Sequence, residues 1–390
     1  MTVEEQDPSA AIPGLRVRAY AGPDDLPALV EIERAANVAD SFDMMPTLEQ
    51  LTSEFDHPAG FDPAADVVVV ELDGRPVATG TVRYRSRDEE HSFELFGAVH
   101  PDVRRRGIGR ALLRLEEGRA RARTATMDLD PARPIRLGTW GVDSAVGQSA
   151  LMAAEGYEPA RFFFEMIKRD LATPPERPLP AGLEIRPTTL ANLRQVFDAE
   201  NEAFRDHWGH HEFTDEEFTH IVEDPELELD LWRVAWDGDE VAGVVAVGVY
   251  AEENRLLGLD RGWLDRISVR RPWRHRGIAT SLILAASAAL RERGISEAAL
   301  GVDADNPSGA LGLYESLGFA VVQRATTWRK DIEPTPDASR KSEREPALRD
   351  HEIEPRPLPP DGRGRSVARQ DPDALLEPGQ PAERLDHPLR

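Results

Sequence analysis

The chain has 390 residues, enough for two or three domains, and 40% of them are apolar, which is ample for buried cores. Acidic residues outnumber basic ones by 71 to 47, and the formal net charge of -24 argues against general binding to nucleic acid or to an anionic membrane, because the long-range field repels polyanions. No cysteine is present, which excludes disulfides, a thiol nucleophile and a thiolate metal site.

Both ends of the chain are polar. Residues 1–14 begin with the acidic stretch Met-Thr-Val-Glu-Glu-Gln-Asp, which is the opposite of a signal peptide, and no run of about 18 apolar residues occurs. Residues 333–390 are rich in proline and charge without apolar periodicity, which predicts disorder because too little surface would be buried to offset the ordering entropy. We therefore expect a cytoplasmic protein with a flexible segment at 1–14 and a disordered tail at 333–390.

Three patterns occur in the same order in both halves of the remaining sequence: a short apolar strand, an amphipathic helix and a β-hairpin. They lie at 14–18, 26–39 and 67–78 in the first half and at 182–186, 190–204 and 231–242 in the second. Each hairpin contains an Asp-Gly pair, Asp73-Gly74 and Asp237-Gly238, which is a strong signal for a tight turn. The chain therefore contains two copies of one pattern.

A proline-rich connector at 173–182 separates the copies. Proline lacks a backbone donor and fixes φ, so this stretch cannot lie inside a helix or a sheet, and it predicts a short semi-rigid linker. We accordingly predict one domain at 15–172 and a second at 183–332.

The most informative stretch lies at 264–290. It begins as a strand, in which Ile267 and Val269 share one face, and it ends as an amphipathic helix. A basic turn rich in small residues joins the two and consists of Arg274, His275, Arg276, Gly277, Ile278, Ala279 and Thr280. The amides at a helix start favour negative charge and arginines add charge-assisted hydrogen bonds, so the turn predicts an anion cradle. A turn with solvated arginines is the alternative interpretation.

The first half contains a copy of this turn. The interval from the strand valine to the first arginine is the same in both halves. The corresponding residues of the first half are Val99, Arg104, Arg106, Gly107, Gly109 and Arg110. The added basic residues favour retained anion binding there, but solvated arginines explain them as well.

The residues that follow the second turn decide between these interpretations. A buried strand at 298–303 is followed by Asn306, by a helix that carries Tyr314 within Leu-Tyr-Glu-Ser-Leu-Gly-Phe, and by a further strand from Phe319. The ordered set Arg-x-x-Gly-x-Ala, then Asn, then Leu-Tyr-Glu-x-Leu-Gly-Phe resembles the second half of the GCN5-related N-acetyltransferase (GNAT) superfamily. The joint match in order and spacing is specific.

This resemblance implies an α+β fold of two tandem GNAT domains, each a mixed, mostly antiparallel β-sheet flanked by helices on both faces. It implies acetyl-CoA as co-substrate, no metal, and an acetyl transfer to a primary amine of a small molecule or peptide. The pantetheine arm would then hydrogen-bond to the backbone of Ile267, Ser268 and Val269. The pyrophosphate would bind the amides of Arg276 to Thr280, and Asn306 would belong to the same site.

The two copies differ where proton transfer is expected. In the family, a tyrosine at the position of Tyr314 protonates the leaving thiolate, whereas the first copy has Met152, which cannot donate a proton. We therefore expect turnover in the second copy and a catalytically impaired first copy. Asp265, expected on the same side of its strand as Ile267, is the candidate base, and a surface or ion-paired strand residue next to Arg266 is the alternative.

The acceptor is expected to contact the loop after the first helix of the second half, where His207 and Trp208 are candidate substrate-binding residues. A metal site formed by the loop histidines is an alternative that no other ligand cluster supports. The tandem arrangement is similar to mycothiol synthases, which acetylate a cysteinyl pseudodisaccharide, but the chain departs from them at Trp263, near which they carry glutamate. A catalytically silent acyl-CoA sensor is a further alternative, and we expect a monomer or a homodimer.

Overall fold

The computed structural model describes residues 12–56, 62–86, 90–171, 177–205, 214–223, 226–305 and 309–333. Within these ranges, twelve strands form one mixed sheet with helices on both of its faces. All of the described residues belong to one compact unit. Residues 1–11 and 334–390, which make up most of the predicted flexible segment and tail, lie outside the described ranges.

The first repeat forms the elements that its hydrophobic patterns predict. Buried residues such as Leu26, Leu29 and Ile32 recur at helical spacing and define the core side of the first helix. At the predicted hairpin turn, Asp73 and Gly74 both have positive φ, 53° and 81°, as a type I′ turn requires. The strands are β1 (Leu15–Ala19), β2 (Val67–Leu72), β3 (Arg75–Ser86), β4 (His91–Val99), β5 (Ile135–Val142) and β6 (Glu158–Lys168), and the helices are α1 (Leu26–Ala39), α2 (Leu48–Asp56), α3 (Pro63–Asp66), α4 (Ile108–Thr124) and α5 (Val146–Ala154).

The second repeat has the same order of elements. Its first helix starts with a capping box in which Thr189 and Asn192 satisfy each other's backbone amides. The strands are β7 (Leu183–Arg186), β8 (Arg233–Asp237), β9 (Glu240–Gly248), β10 (Arg261–Val269), β11 (Glu297–Asp303) and β12 (Ala320–Ile332), and the helices are α6 (Leu190–Phe204), α7 (Asp215–Glu223), α8 (Ala251–Leu257), α9 (Ile278–Glu292) and α10 (Ala310–Ser316).

The two repeats exchange their last strands. The sheet order is β1-β2-β3-β4-β5-β12-β6-β11-β10-β9-β8-β7, so β12 pairs with the first repeat and β6 pairs with the second. The pairs β4–β5 and β10–β11 are parallel. A bidentate ion pair fixes one of the junctions, because Arg161 on β6 donates to both carboxylate oxygens of Asp303 at the end of β11. The division at 15–172 and 183–332 therefore marks the sequence repeats, and we keep it as a proposal for folding units.

Each repeat packs helices on both faces of the sheet. In the second repeat, α9 covers one face with the fully buried residues Leu282 and Leu290, and we call this the α9 face. Helix α6 covers the opposite face with Leu193 and Val196, and we call this the α6 face. In the first repeat, α4 and α1 take the corresponding positions. Helices on both faces of a mixed sheet confirm the predicted α+β fold. Among the described residues, no helix combines the length and the apolarity that crossing a membrane requires.

Candidate active site

The sheet is split between two parallel strands in each repeat. The ladder between β10 and β11 runs from Arg261–Glu297 to Trp263–Ala299 and stops there, although both strands continue. The ladder between β4 and β5 stops in the same way at Glu94–Gly138. Because strands that diverge leave alternate backbone groups of each edge unpaired, each split offers hydrogen-bond donors and acceptors to an extended ligand.

A β-bulge shapes the split of the second repeat. The pairing of β10 with β9 shifts register between Leu264 and Arg266, so Asp265 is the extra residue. The prediction that Asp265 shares the face of Ile267 was wrong, because the bulge turns its carboxylate to the α6 face, beside Gly248. The hydroxyl of Tyr250 donates a hydrogen bond of 3.2 Å to Oδ2 of Asp265. The exposed carboxylate thus lies on the face opposite to α9.

The turn after β10 has the geometry of an anion cradle. His275 and Gly277 adopt left-handed conformations with φ of 61° and 83°, on either side of Arg276. Alternation of this kind points successive amides to one side, which forms a concave nest for an anion. The first backbone bond of α9 joins the N–H of Ser281 to the carbonyl of Gly277 at 3.1 Å, so the amides of the preceding helical residues remain for a ligand.

The predicted cradle residues have two different roles. Arg274 turns back into the fold, where Nε donates to the carbonyl of Val269 at 3.0 Å and Nη2 to that of Ala203 at 3.0 Å. Arg276 and His275 are exposed, and neither is paired with a carboxylate within the described part of the chain. The first arginine therefore braces the turn, and the two residues after it leave cationic and imidazole groups beside the nest.

The helix after β11 brings Tyr314 to the α9 face. Its ring is buried in the core that also contains Ile278 and Val302, and it makes an edge-on contact with Phe319 at 6.3 Å between ring centroids. Burial raises the pKa of the Tyr314 hydroxyl to about 12. No described residue hydrogen-bonds to this hydroxyl. The phenol is therefore protonated at neutral pH and lies on the same face as the cradle.

The turn of the first repeat copies the cradle in its backbone. Arg105 and Gly107 are left-handed, with φ of 65° and 89°. Arg104 donates from Nε to the carbonyl of Val99 at 3.0 Å and from Nη1 to Asp40 at 2.7 Å, so it is a brace like Arg274. The other three predicted residues vary in their surroundings. Arg106 is exposed, a Cβ on Gly109 would be in ordinary contact with Val99 and Leu151, and Arg110 is paired with Glu155 at 2.7 Å.

In the first repeat, the strand that borders the split carries a large aromatic side chain at this point. Two residues beyond the end of the parallel ladder, Trp140 packs against Phe42, with ring centroids 5.6 Å apart. The corresponding position of the second repeat is Gly301, where a Cβ would have no atom within 4 Å. Gln148 further fills the space above Gly141 and donates to the carbonyl of Trp140 at 3.0 Å. Only the second repeat therefore keeps open space beside its split strand at this position.

Sequence reasoning missed a buried ion pair beside the site. Glu200 on α6 accepts from Nε of Arg266 on β10 at 3.2 Å, and the guanidinium also lies over the rings of Phe197 and Trp232. Burial raises the pKa of Glu200, and Arg266 opposes that shift. The available signal was a carboxylate within the apolar stripe of a helix, because such a residue needs a buried partner.

Three predicted residues lie outside the described ranges. They are His207, Trp208 and Asn306. Within the described ranges, no group of three or more histidine, aspartate or glutamate side chains is arranged to hold a metal ion.

Comparison with known proteins agrees with this geometry. The family model described as "Acetyltransferase (GNAT) family" matches residues 27–134 and 193–319, one region in each repeat. A mycothiol acetyltransferase of Geodermatophilus obscurus is 29% identical over 322 residues, which cover 79% of this chain and 95% of that protein.

Solved structures give the same result. A GCN5-related N-acetyltransferase from Sphaerobacter thermophilus superposes with a TM-score of 0.66 at 27% identity, covering 84% of this chain and 98% of that one. A tandem GNAT protein from the clavulanic acid biosynthesis pathway shares the fold with a TM-score of 0.59 at 20% identity, covering 82% and 99%. Each matched region contains one of the two left-handed turns, and this chain therefore belongs to the acetyltransferase (GNAT) family and is an N-acyltransferase.

Proposed function

We propose that the second repeat transfers an acetyl group from acetyl-CoA to a primary amine of a small molecule. One observation carries this proposal: the cradle at Gly277 and the phenol of Tyr314 lie on the α9 face, whereas the carboxylate of Asp265 lies on the α6 face, with the split between them. Such an arrangement admits a thioester from one face and an amine from the other.

The residues of the second repeat fit acetyl-CoA. The edge of β10 that faces the split includes Ile267, Ser268 and Val269, and its free backbone groups suit the amides of a pantetheine arm. The nest from His275 to Thr280 suits a diphosphate, since it combines outward amides, the positive end of α9 and an arginine. When bound, acetyl-CoA supplies the acetyl group and a thiolate leaving group.

Tyr314 then acts as the general acid. Its raised pKa keeps the phenol protonated at neutral pH, and α10 holds it rigidly in the core. A positioned proton donor for the thiolate sulfur contributes roughly 10²–10⁴-fold to such a step. Asp265 accepts the proton of the attacking amine, directly or through one water, and the hydroxyl of Tyr250 orients its carboxylate.

The acceptor side is acidic and open. Gly301 leaves free space on its strand, and its partner on the exchanged strand β6 is Glu165. Burial raises the pKa of Glu165, and the buried Arg261, 3.5 Å away, opposes that shift. Asp265 adds a second carboxylate, so the field favours an acceptor with a cationic amine. His207 and Trp208 remain our candidates for further acceptor contacts.

The named relatives favour one particular acceptor. Mycothiol acetyltransferases match this chain over most of their length, so the cysteinyl amine of a mycothiol precursor is the second candidate function that we propose. Trp263 stands against it, because the resemblance places a glutamate near this position in those enzymes. A general small-molecule N-acetyltransferase accounts for both observations.

A screen for thiol release tests the proposal. The protein is mixed with acetyl-CoA and, in turn, with cysteinyl pseudodisaccharides, aminoglycosides and simple primary amines, and free CoA thiol is measured. We expect release with at least one class of amine, and a preference for the cysteinyl compounds would identify the mycothiol-type reaction. Tight binding of CoA with no release for any amine would instead indicate an acyl-CoA sensor and would contradict the enzymatic proposal.

A further inference from the structure

We infer that Arg177, which belongs to the linker between the repeats, is a phosphate-binding residue of the second repeat. The inference rests on the proposed binding of acetyl-CoA at the Gly277 cradle, and it adds a residue that lies outside the motif of the turn. The linker was predicted to be only a semi-rigid spacer, so this function was not visible in the sequence.

The guanidinium of Arg177 lies directly over the cradle. A Cβ built on Gly277 would be 3.0 Å from Nη2, 3.4 Å from Cζ and 3.7 Å from Nε of Arg177. All three atoms belong to the guanidinium group of Arg177, so this planar group covers Gly277, which forms part of the nest. An anion bound on the amides after Gly277 would therefore meet the N–H groups of Arg177.

The linker is held in this position by contacts of its own. Ser281, in the first turn of α9, is buried and donates a hydrogen bond of 3.2 Å to the carbonyl of Pro178. The next residue, Leu179, packs against the core of the α9 face. Because these contacts fix the backbone on the carboxyl side of Arg177, its side chain is organised at the cradle before any ligand arrives.

The charge of Arg177 is available for a ligand. The side chain is exposed, and no carboxylate pairs with it within the described residues. Two other arginines near the linker are paired, Arg169 with Glu297 at 3.6 Å and Arg186 with Glu184 at 2.6 Å. An unpaired arginine beside the equally unpaired Arg276, in a chain with net charge -24, produces a local positive patch that suits phosphate groups.

The first repeat provides a natural contrast. The segment before its first strand also reaches its turn, but the atom nearest to a Cβ on Gly107 is Cδ1 of Ile12, at 3.8 Å. The same backbone nest is thus covered by an apolar side chain in one repeat and by a guanidinium in the other. We assign the difference to the ligand, because the open space at Gly301 and the phenol of Tyr314 both belong to the second repeat, whereas the first repeat has Trp140 and Met152 at these positions.

Titration calorimetry with three ligands tests the assignment. CoA carries a diphosphate and a 3′-phosphate, dephospho-CoA carries only the diphosphate, and pantetheine carries neither. For Arg177→Gln we expect the affinity for CoA to fall about tenfold, as for the loss of one charge-assisted contact, while the affinity for pantetheine stays unchanged. An equal loss with dephospho-CoA places the contact on the diphosphate, and a loss seen only with CoA places it on the 3′-phosphate.

The matched control is Arg169→Gln, which removes an exposed arginine on the other side of the linker. Unchanged or tighter CoA binding by Arg177→Gln, or an equal loss in the Arg169→Gln control, would overturn the inference. Failure of the proposed function is distinguishable, because the measurement is of binding alone. If Gly277→Val weakens CoA binding and Arg177→Gln does not, the cradle stands and only the assignment of Arg177 fails.

Discussion

The two repeats share the same backbone features around their sites and differ in the side chains that those features carry. Both have a parallel strand pair that separates after a short ladder, both have two left-handed residues in the following turn, and in both an arginine bonds to the last strand carbonyl at 3.0 Å. These shared features belong to the backbone. They show that the split and the nest are consequences of the fold and do not by themselves identify a working site.

The differences are in side chains. Where the second repeat has Tyr314, the first has Met152, and where the second has Gly301, the first has Trp140. The bulge at Asp265 has no counterpart in the β3–β4 pairing, whose register runs unbroken from Ala78–Val99 to Ser86–His91. The comparison teaches that both GNAT copies can keep the backbone nest while the phenol at position 314, the open space at Gly301 and the bulge at Asp265 occur in the second copy alone.

Tyr314→Phe should produce the largest loss of activity and so separate the two repeats most clearly. Removing the phenol removes the proton donor for the thiolate, so we expect kcat to fall roughly 10²–10³-fold while the affinity for CoA is unchanged. Thiol-release kinetics together with calorimetry would measure both quantities. The control is Tyr157→Phe, which removes the hydroxyl of a buried tyrosine in the first repeat. Comparable losses of kcat in both variants would contradict a single working repeat.

Gly301→Trp should give the second repeat the aromatic side chain that the first repeat has beside its split. The ring would occupy the open space on the acceptor side, so we expect kcat/KM for the amine to fall by about a factor of 100, since misplacing one reactant is costly. Binding of acetyl-CoA from the α9 face should change much less. Gly301→Ala, which adds only a methyl group where no atom lies within 4 Å, is the control and should retain most activity. Full activity of the tryptophan variant would mean that the amine enters elsewhere.

Gly277→Val and Gly107→Val compare the two nests directly. Both glycines are left-handed, and a side chain with a Cβ costs about 1–2 kcal/mol in that region, so each variant distorts its own turn. We expect Gly277→Val to weaken binding of CoA by about tenfold or more, because the amides lose their alignment. Gly107→Val should leave turnover within about twofold of the parent, provided that the melting temperatures of the two variants are similar. Equal losses of activity would show that the working half was assigned wrongly.

Glu33→Gln should have the smallest effect, and it concerns stability. Burial, together with the charge of Glu54, raises the pKa of Glu33 on α1 to about 7. The second repeat has Phe197 at the same position along α6. The folded state therefore holds a proton that the unfolded chain releases above its pKa of 4.5. The stabilising contribution is complete below pH 4.5 and is lost as the pH rises through about 7.

Thermal unfolding at two pH values measures this effect. We expect Glu33→Gln to raise the melting temperature at pH 8 by roughly 2–4 °C and to leave it almost unchanged at pH 5, because the glutamine mimics the protonated acid. The partial exposure of Glu33 limits the size of the effect. A larger gain at pH 5 than at pH 8 would have the wrong sign and would contradict the raised pKa.

Local patterns predicted much of the fold. The helices at 26–39 and 190–204 were predicted with the bounds that the structure has, because hydrophobic periodicity acts over a few residues. The turn at Asp73-Gly74 forms as predicted, whereas the second hairpin turns one residue later, at Gly238 and Asp239. The strand exchange could not be predicted. The pairing of β6 with β11 and of β12 with β5 joins segments that lie far apart in the sequence, so local patterns do not specify it.

The turn motif of the candidate site was predicted from the sequence, whereas the orientation and contacts of the residues around it were not. The nest and the position of Tyr314 follow from a local turn and a helix, whereas the orientation of Asp265 depends on a bulge that inserts one residue and reverses the face. The proximity of Arg177 to Gly277 was overlooked because the two residues lie far apart in the sequence. Trp140 and Gly301 become comparable only once the ends of the two parallel ladders are known.

The most direct test of the account is a crystal structure of the protein with a non-hydrolysable thioether analogue of acetyl-CoA. We expect the diphosphate on the nest at Gly277 and the thioether sulfur within about 3.5 Å of Oη of Tyr314, which is hydrogen-bond reach for sulfur. An analogue bound only in the first repeat, with its sulfur beside Met152, would contradict the assignment of catalysis to the second repeat.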